Sequence, residues 1–245
     1  TYGFAGILTG LMIVNGTPWP VAIIIGVVVG GVIGLVNGLI ITKLEIPPLI
    51  TTLGTQYIVK GMTNVITQGK PVTGFPESFN FIGGGSVAGI PVPVFFAAIL
   101  FVLAFIIYKY TTFGRKLLAV GGNKETARLC GINSTRIQII AFIIAGATAA
   151  LVGVLTAARL SSAQAAAGTG IEMTYIASVV IGGTSLSGGN SSTVGTLIGV
   201  GIMETLTVTT TLLHIDTYYQ KIVVGIIIIV AVGIDVVRHK RLARG

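Results

Sequence analysis

Eight apolar stretches, most of them about as long as a membrane crossing, alternate along this chain with short polar breaks. They lie near residues 1–14, 20–42, 47–68, 91–110, 137–159, 170–187, 193–213 and 218–237. A helix needs about 20 apolar residues to cross the hydrocarbon core of a bilayer. With no water in that core the backbone must satisfy its own hydrogen bonds, so each stretch predicts a helix unless it lines a cavity. The first stretch is too short for a full span, and the chain is expected to begin inside a helix, with protein missing ahead of Thr1. Gly182, Gly183, Gly188 and Gly189 interrupt the sixth stretch, which admits a crossing or a re-entrant helix. A crossing is expected, because re-entry would move the basic tail to the other side from the rest of the basic residues.

Those basic residues gather at the ends of apolar stretches, mainly from Lys109 to Arg136 and from Arg238 to Arg244. Cytoplasmic loops accumulate Lys and Arg, so both clusters are placed inside. Four stretches lie between them, an even number, as that placement requires. Reading backwards, Lys43 and Glu45 fall inside and the Gly- and Pro-bearing loop at 67–91 falls outside.

Composition changes the picture in one respect. Of 245 residues 53% are hydrophobic and 9% charged, against about a quarter charged in soluble domains. So few charges cannot coat a globule in water, and lipid is the expected solvent for most of the surface. The net charge of +8 is accounted for by the inside clusters, and no nucleic acid partner is expected. The single cysteine, Cys130, excludes an intrachain disulfide and any cysteine-only metal cluster. No phosphate-binding loop, nucleophile elbow or metal-ligand histidine spacing occurs, so no cofactor, metal or catalytic residue is expected.

Four features carry candidate function. Gly26, Gly30, Gly34 and Gly38 share one helix face, where small residues let backbones approach, either as static packing or as a sliding surface. Thr52, Gln56, Lys60 and Asn64 form a polar stripe that must face protein or water, as a pore lining or as an interhelical hydrogen-bond seam. Glu204, with Thr207 and Thr211 on its face, is the acidic residue deepest inside a stretch, and ionisable groups at that depth mark function by default. Thr52, Gln56, Asn64, Glu204 and Thr207 are the expected translocation-path residues. In the inside segment, Gly121 and Gly122 break the chain, Asn123 suits a helix cap, and Gly131 suits a helix stop. A short helix outside the bilayer follows, with Arg128 exposed.

The segments GRKLLAVGGNKETARLCGIN, RLSSAQAAAGTGIEMTYIASVVIGGTSLSGG and TLIGVGIM, in that order, resemble the ribose-type permeases of bacterial ABC importers, a family that also serves other monosaccharides and autoinducer-2. The likeness covers nearly the whole chain. It implies an all-α, polytopic transmembrane bundle of the type II importer kind, with about ten helices, of which the first two would precede Thr1. It implies one permease domain over residues 1–245 in the bacterial inner membrane, with a coupling-helix loop at 111–136 and an external loop at 67–91. By the same likeness the partners are ATPase subunits, an external solute-binding protein and a second permease. Gly121, Gly122, Asn123, Glu125, Ala127, Arg128, Gly131 and Ile132 match the motif that docks into the ATPase. The family often carries paired asparagines where this chain has Thr207 and Val208, and a small residue where it has Glu204.

Three rivals remain. An ion-coupled carrier predicts repeats and clustered intramembrane charges, whereas one such charge and no repeat are found. A structural scaffold gives no reason for a polar stripe. A branched-chain amino acid permease is a relative that the GGTSLSGG segment fits less well.

Overall fold

A computed structural model of the chain describes residues 1–186 and 188–242. Eleven helices carry these residues, and four two-residue strands complete the described elements. The helices α1 (Tyr2–Val14), α2 (Trp19–Lys43), α3 (Pro48–Thr67), α5 (Val92–Tyr110), α8 (Ser134–Leu160), α9 (Ile171–Ile181), α10 (Thr193–Leu212) and α11 (Thr217–Leu242) fall on the eight apolar stretches. The loops hold the other three: α4 (Glu77–Gly84), α6 (Thr112–Gly122) and α7 (Lys124–Leu129).

The boundaries follow from local chemistry. Pro20 lies in the first turn of α2 and Pro48 opens α3, where the missing N–H has no helical partner to lose. Asn133 caps α8 by accepting the Arg136 N–H at 3.0 Å, and Ser192 caps α10 through the Gly195 N–H at 3.0 Å. Thr111 does the same for α6 through Gly114 at 3.1 Å. The helices α2, α5, α8 and α10 are long and apolar enough to span a bilayer. The chain is an all-α, multi-pass membrane bundle.

Two elements differ in extent from the pattern read in the sequence. The stretch 170–187 is helical only over Ile171–Ile181, about 16 Å of rise. Gly182 ends it and Gly183 turns left-handed at φ +82°, so the chain reaches α10 by a non-helical turn. The segment 111–136 holds a further helix ahead of the expected one: Gly121 and Gly122 close the eleven-residue α6, and Asn123 then caps α7.

The chain divides into two compact units. The first, Thr1–Leu100 with Asn133–Gly168, is built on α2 and α8. They run antiparallel with glycine against backbone: a Cβ on Gly38 would lie 3.0 Å from the Cα of Ile139, and Gly34 abuts the carbonyl of Phe142. Gly26 and Gly30 continue this seam, meeting Thr9 of α1 and Ala150 of α8. All four glycines are buried, in a close-packed ladder. Beside them α1 packs on α8, where Ile7 and Val154 are fully enclosed. Phe75 and Phe79 meet edge to face at 5.3 Å, and Phe79 pins α4 onto this core. The strand β1 (Val72–Thr73) pairs antiparallel with β4 (Ser162–Ala163), while β2 (Ser86–Val87) and β3 (Ile90–Pro91) form a separate hairpin.

The second unit, Phe101–Ile132 with Thr169–Gly245, centres on α9. Both α10 and α11 pack against it, enclosing Ala177, Met203 and Val224.

Candidate functional site

Within α7 the backbone is closed at both ends by its own sequence. Asn123 Oδ1 accepts the Thr126 N–H at 2.9 Å. At the other end the Gly131 N–H donates to Arg128 O at 2.9 Å and the Ile132 N–H to Ala127 O at 3.0 Å. That pair of bonds is the Schellman motif, and it puts Gly131 at φ +77°, a conformation that excludes most side chains. Ala127 is buried and Ile132 half-buried, whereas Gly121, Gly122, Asn123, Glu125, Arg128 and Gly131 are exposed. The helix expected from the sequence is present with Arg128 exposed, and it buries only Ala127. Leu129 stands 87% exposed among Lys124, Glu125 and Arg128. No pattern in the sequence singled it out, since a Leu in a short helix is ordinarily read as its buried side.

On α3 the inward face is offset by one residue from the stripe read in the sequence. Thr51, Val59, Thr63 and Thr67 are buried, with Thr55 half-buried between them. Thr63 and Thr67 donate to carbonyls one turn back, at 2.6 and 2.9 Å, so they carry no unmet donor inward. Thr55 Oγ1 donates to Asn37 Oδ1 of α2 at 2.6 Å, a tie the sequence did not disclose. Such bonds between membrane helices are worth about 0.6 kcal/mol on average and up to about 1.7. Thr55→Val is therefore expected to destabilise by an amount in that range, read as a lower thermal midpoint of the detergent-solubilised protein. Thr52 and Gln56 are half-buried and Asn64 is exposed, with Lys60 exposed beside it. Thr52 bonds back to Pro48 O at 2.9 Å.

On α10, Glu204 is exposed and has no polar partner among the described residues, turned away from the packed Gly199 and Met203. Thr207 is instead engaged: Gln220 Nε2 of α11 donates to its Oγ1 at 2.9 Å, and that hydroxyl donates to Met203 O at 3.0 Å. Thr52, Gln56 and Asn64 belong to the first unit, Glu204 and Thr207 to the second. Among the described residues no group of three or more His, Cys, Asp or Glu could hold a metal ion.

An all-α chain with four helices long and apolar enough to cross a bilayer, carrying besides them a short capped helix with an exposed leucine, falls in the class of polytopic membrane proteins. The chain belongs to the family described as branched-chain amino acid transport system / permease component, which matches residues 1–232. Among curated relatives, the ribose import permease protein RbsC of Bacillus subtilis (strain 168) is 46% identical over 91% of this chain and 70% of its own length. The Escherichia coli (strain K12) RbsC is 43% identical over 81% of this chain and 63% of its own. The L-arabinose transport system permease protein AraH of Escherichia coli (strain K12) is 38% identical over 85% and 63%. The chain thus spans 63–70% of the length of these relatives. No solved structure matches.

Proposed function

We propose that this chain is the membrane permease subunit of an ATP-binding-cassette importer for a monosaccharide, in the inner membrane of a bacterium. Relatives at 46% and 38% identity named for ribose and L-arabinose support a pentose-like solute over a branched-chain amino acid. The observation that carries the energetics is α7. It is six residues long, capped at both ends, and exposes Leu129 and Arg128 rather than burying them. An exposed apolar side chain on a helix that also bears Lys124, Glu125 and Arg128 suits a groove on a separate ATPase subunit, which hydrolyses the ATP while this chain remains non-catalytic. Gly121, Gly122, Asn123, Glu125, Ala127, Arg128, Gly131 and Ile132 build and orient that helix.

Two contacts support the orientation read from the basic clusters, each inside one unit. The β1–β4 pair holds 72–73 beside 162–163, as it must if both lie outside. Gly121 and Gly122 meet Gly188 and Gly189, as they must if 111–136 and the turn before α10 both lie inside. The external loop, stiffened by α4 and the β2–β3 hairpin, is then the docking surface for a solute-binding protein, and a second permease copy or paralogue completes the path. Thr52, Gln56, Asn64 and Glu204 are its lining candidates, and Thr207 holds α11 to the Glu204 helix.

Proteoliposomes holding the permease, its ATPase and its binding protein test this with labelled D-ribose and L-arabinose. ATP-dependent accumulation of a pentose is expected, lost when the ATPase is omitted. Accumulation that continues without the ATPase would refute the reading.

A further inference from the structure

Two glycine pairs far apart in sequence meet backbone to backbone. Gly121 and Gly122 close α6, and Gly188 and Gly189 lie in the turn between α9 and α10. A Cβ on Gly189 would stand 2.8 Å from Gly122 Cα, and one on Gly121 would stand 3.1 Å from the Gly189 nitrogen. A Cβ on Gly188 would run into the Gly121 carbonyl, with Gly121 Cα only 3.1 Å away. The same turn is tied to the start of α10, where Thr184 Oγ1 accepts the Ser192 N–H at 3.4 Å and lies 3.4 Å from Thr196 Oγ1, and the end of α9 packs there too. A Cβ on Gly182 would lie 2.6 Å from the Thr196 nitrogen, and Gly199 sits against the Ser178 carbonyl. Across the turn the Ser185 N–H donates to Asn190 O at 3.1 Å. Backbone surfaces in contact have no rotamers through which to absorb a displacement, so parts joined this way move together.

We propose that this glycine joint transmits movement of α7 to α10, the helix that carries Glu204. The proposal rests on reading α7 as the ATPase-docking element, and goes beyond it by naming where the motion enters the transmembrane unit. A purely local reason for these glycines exists: Gly188 and Gly189 have φ of +86° and +79°, which glycine tolerates best. Gly183 separates the two explanations. It has φ +82° in the same turn, yet a Cβ there would meet nothing within 4 Å. Gly183→Ala therefore adds the backbone strain without the wedge, and Gly188→Ala adds both. Gly122→Ala adds a wedge without the strain, because that glycine is helical and its Cβ would lie 3.3 Å from Gly189 Cα.

The reporter is a nitroxide on α10. Cys130→Ser removes the lone cysteine, and Thr205→Cys supplies an exposed attachment point. The full complex with its ATPase subunits is reconstituted in lipid, and the spectrum is compared with ADP and with ATP plus vanadate. A nucleotide-dependent spectral change is expected in this parent and in Gly183→Ala. It is expected to be lost in Gly188→Ala and diminished in Gly122→Ala, with the ATPase still co-purifying. Should Gly188→Ala not assemble, Gly122→Ala decides. A change that survives both wedges but vanishes in Leu129→Asp overturns the joint and leaves the docking reading standing. Loss in Gly183→Ala as well assigns the effect to strain and overturns the joint. No change in the parent overturns the joint and the docking reading together.

Discussion

Gly131→Pro is expected to lower ATP-driven uptake by roughly two orders of magnitude while the bundle still inserts and packs. The reason is local. An isolated six-residue helix is far below the length at which helices hold themselves together in water, so α7 depends on its two ends. Gly131 lies at φ +77°, and its N–H closes the helix on Arg128 O. Proline fixes φ near −65° and has no N–H, so the Gly131 bond is lost and, with the left-handed turn, the Ile132 bond as well. Two bonds at about 0.5–1.5 kcal/mol each amount to up to about 3 kcal/mol, and each 1.4 kcal/mol is about tenfold in the population of the formed helix. A Cβ at this position would meet nothing within 4 Å, so smaller substitutions act through conformation alone. Gly131→Ala is expected to cost about 1–2 kcal/mol. Gly131→Asn should cost less, because asparagine tolerates the left-handed region. Uptake into proteoliposomes, with ATP hydrolysis followed in parallel, should rank Gly above Asn, Asn above Ala and Ala above Pro. Uptake in the proline variant equal to that of the parent would remove α7 from the mechanism.

That cap and stop were legible before any coordinates because they are contact chemistry between near neighbours. Asn123 reaches Thr126, and Gly131 answers to Ala127 and Arg128. The eight apolar helices were legible for a different reason: lipid as solvent demands apolarity over long stretches of chain, a signal that survives ignorance of packing. The face of α3 was not legible. Its sequence carries two polar rows side by side, Thr51, Thr55, Thr63 and Thr67, and Thr52, Gln56, Lys60 and Asn64, both with a spacing of four or its multiple. Periodicity cannot choose between rows one residue apart. Side-chain chemistry could have chosen, since Lys60 carries a charge its own helix cannot satisfy, whereas Thr63 and Thr67 return their hydroxyls to theirs.

The helix α4 escaped because its stabilisation is remote. Phe79 of α4 is buried in a core that also contains Ile7 and Val154, and no local pattern records that. The pairing of β1 with β4 joins residues 72–73 to 162–163, and two-residue strands leave no alternation to read. The Gly121–Gly188 contact was half visible. Both glycine pairs stood out in the sequence, but as separate breaks, because a glycine needed for close approach and one needed for a turn look the same in one dimension.

Along α2, neighbouring glycines should respond to the same substitution with opposite signs. Gly31 and Gly34 are both buried. A Cβ on Gly31 would meet Ile143 Cγ2 at 3.7 Å and Ala147 Cβ at 3.9 Å, ordinary contacts. A Cβ on Gly34 would collide with the Phe142 carbonyl and stand 3.0 Å from Ile143 Cα, so only a shift of the α8 backbone relieves it. Gly31→Ala is expected to stabilise by about 0.5–1 kcal/mol, the conformational cost of glycine inside a helix. Gly34→Ala is expected to destabilise by about 1–3 kcal/mol, the usual toll of overpacking. Gly34→Leu should exceed that and leave little folded protein, because the seam from Gly26 to Gly38 has no side chain at that point to move aside. Thermal midpoints of the purified variants in detergent, read by size-exclusion recovery after heating, report both signs at once. Equal midpoints for Gly31→Ala and Gly34→Ala would mean that α2 and α8 are not held at backbone contact, and the glycine ladder would lose its role as the spine of the first unit.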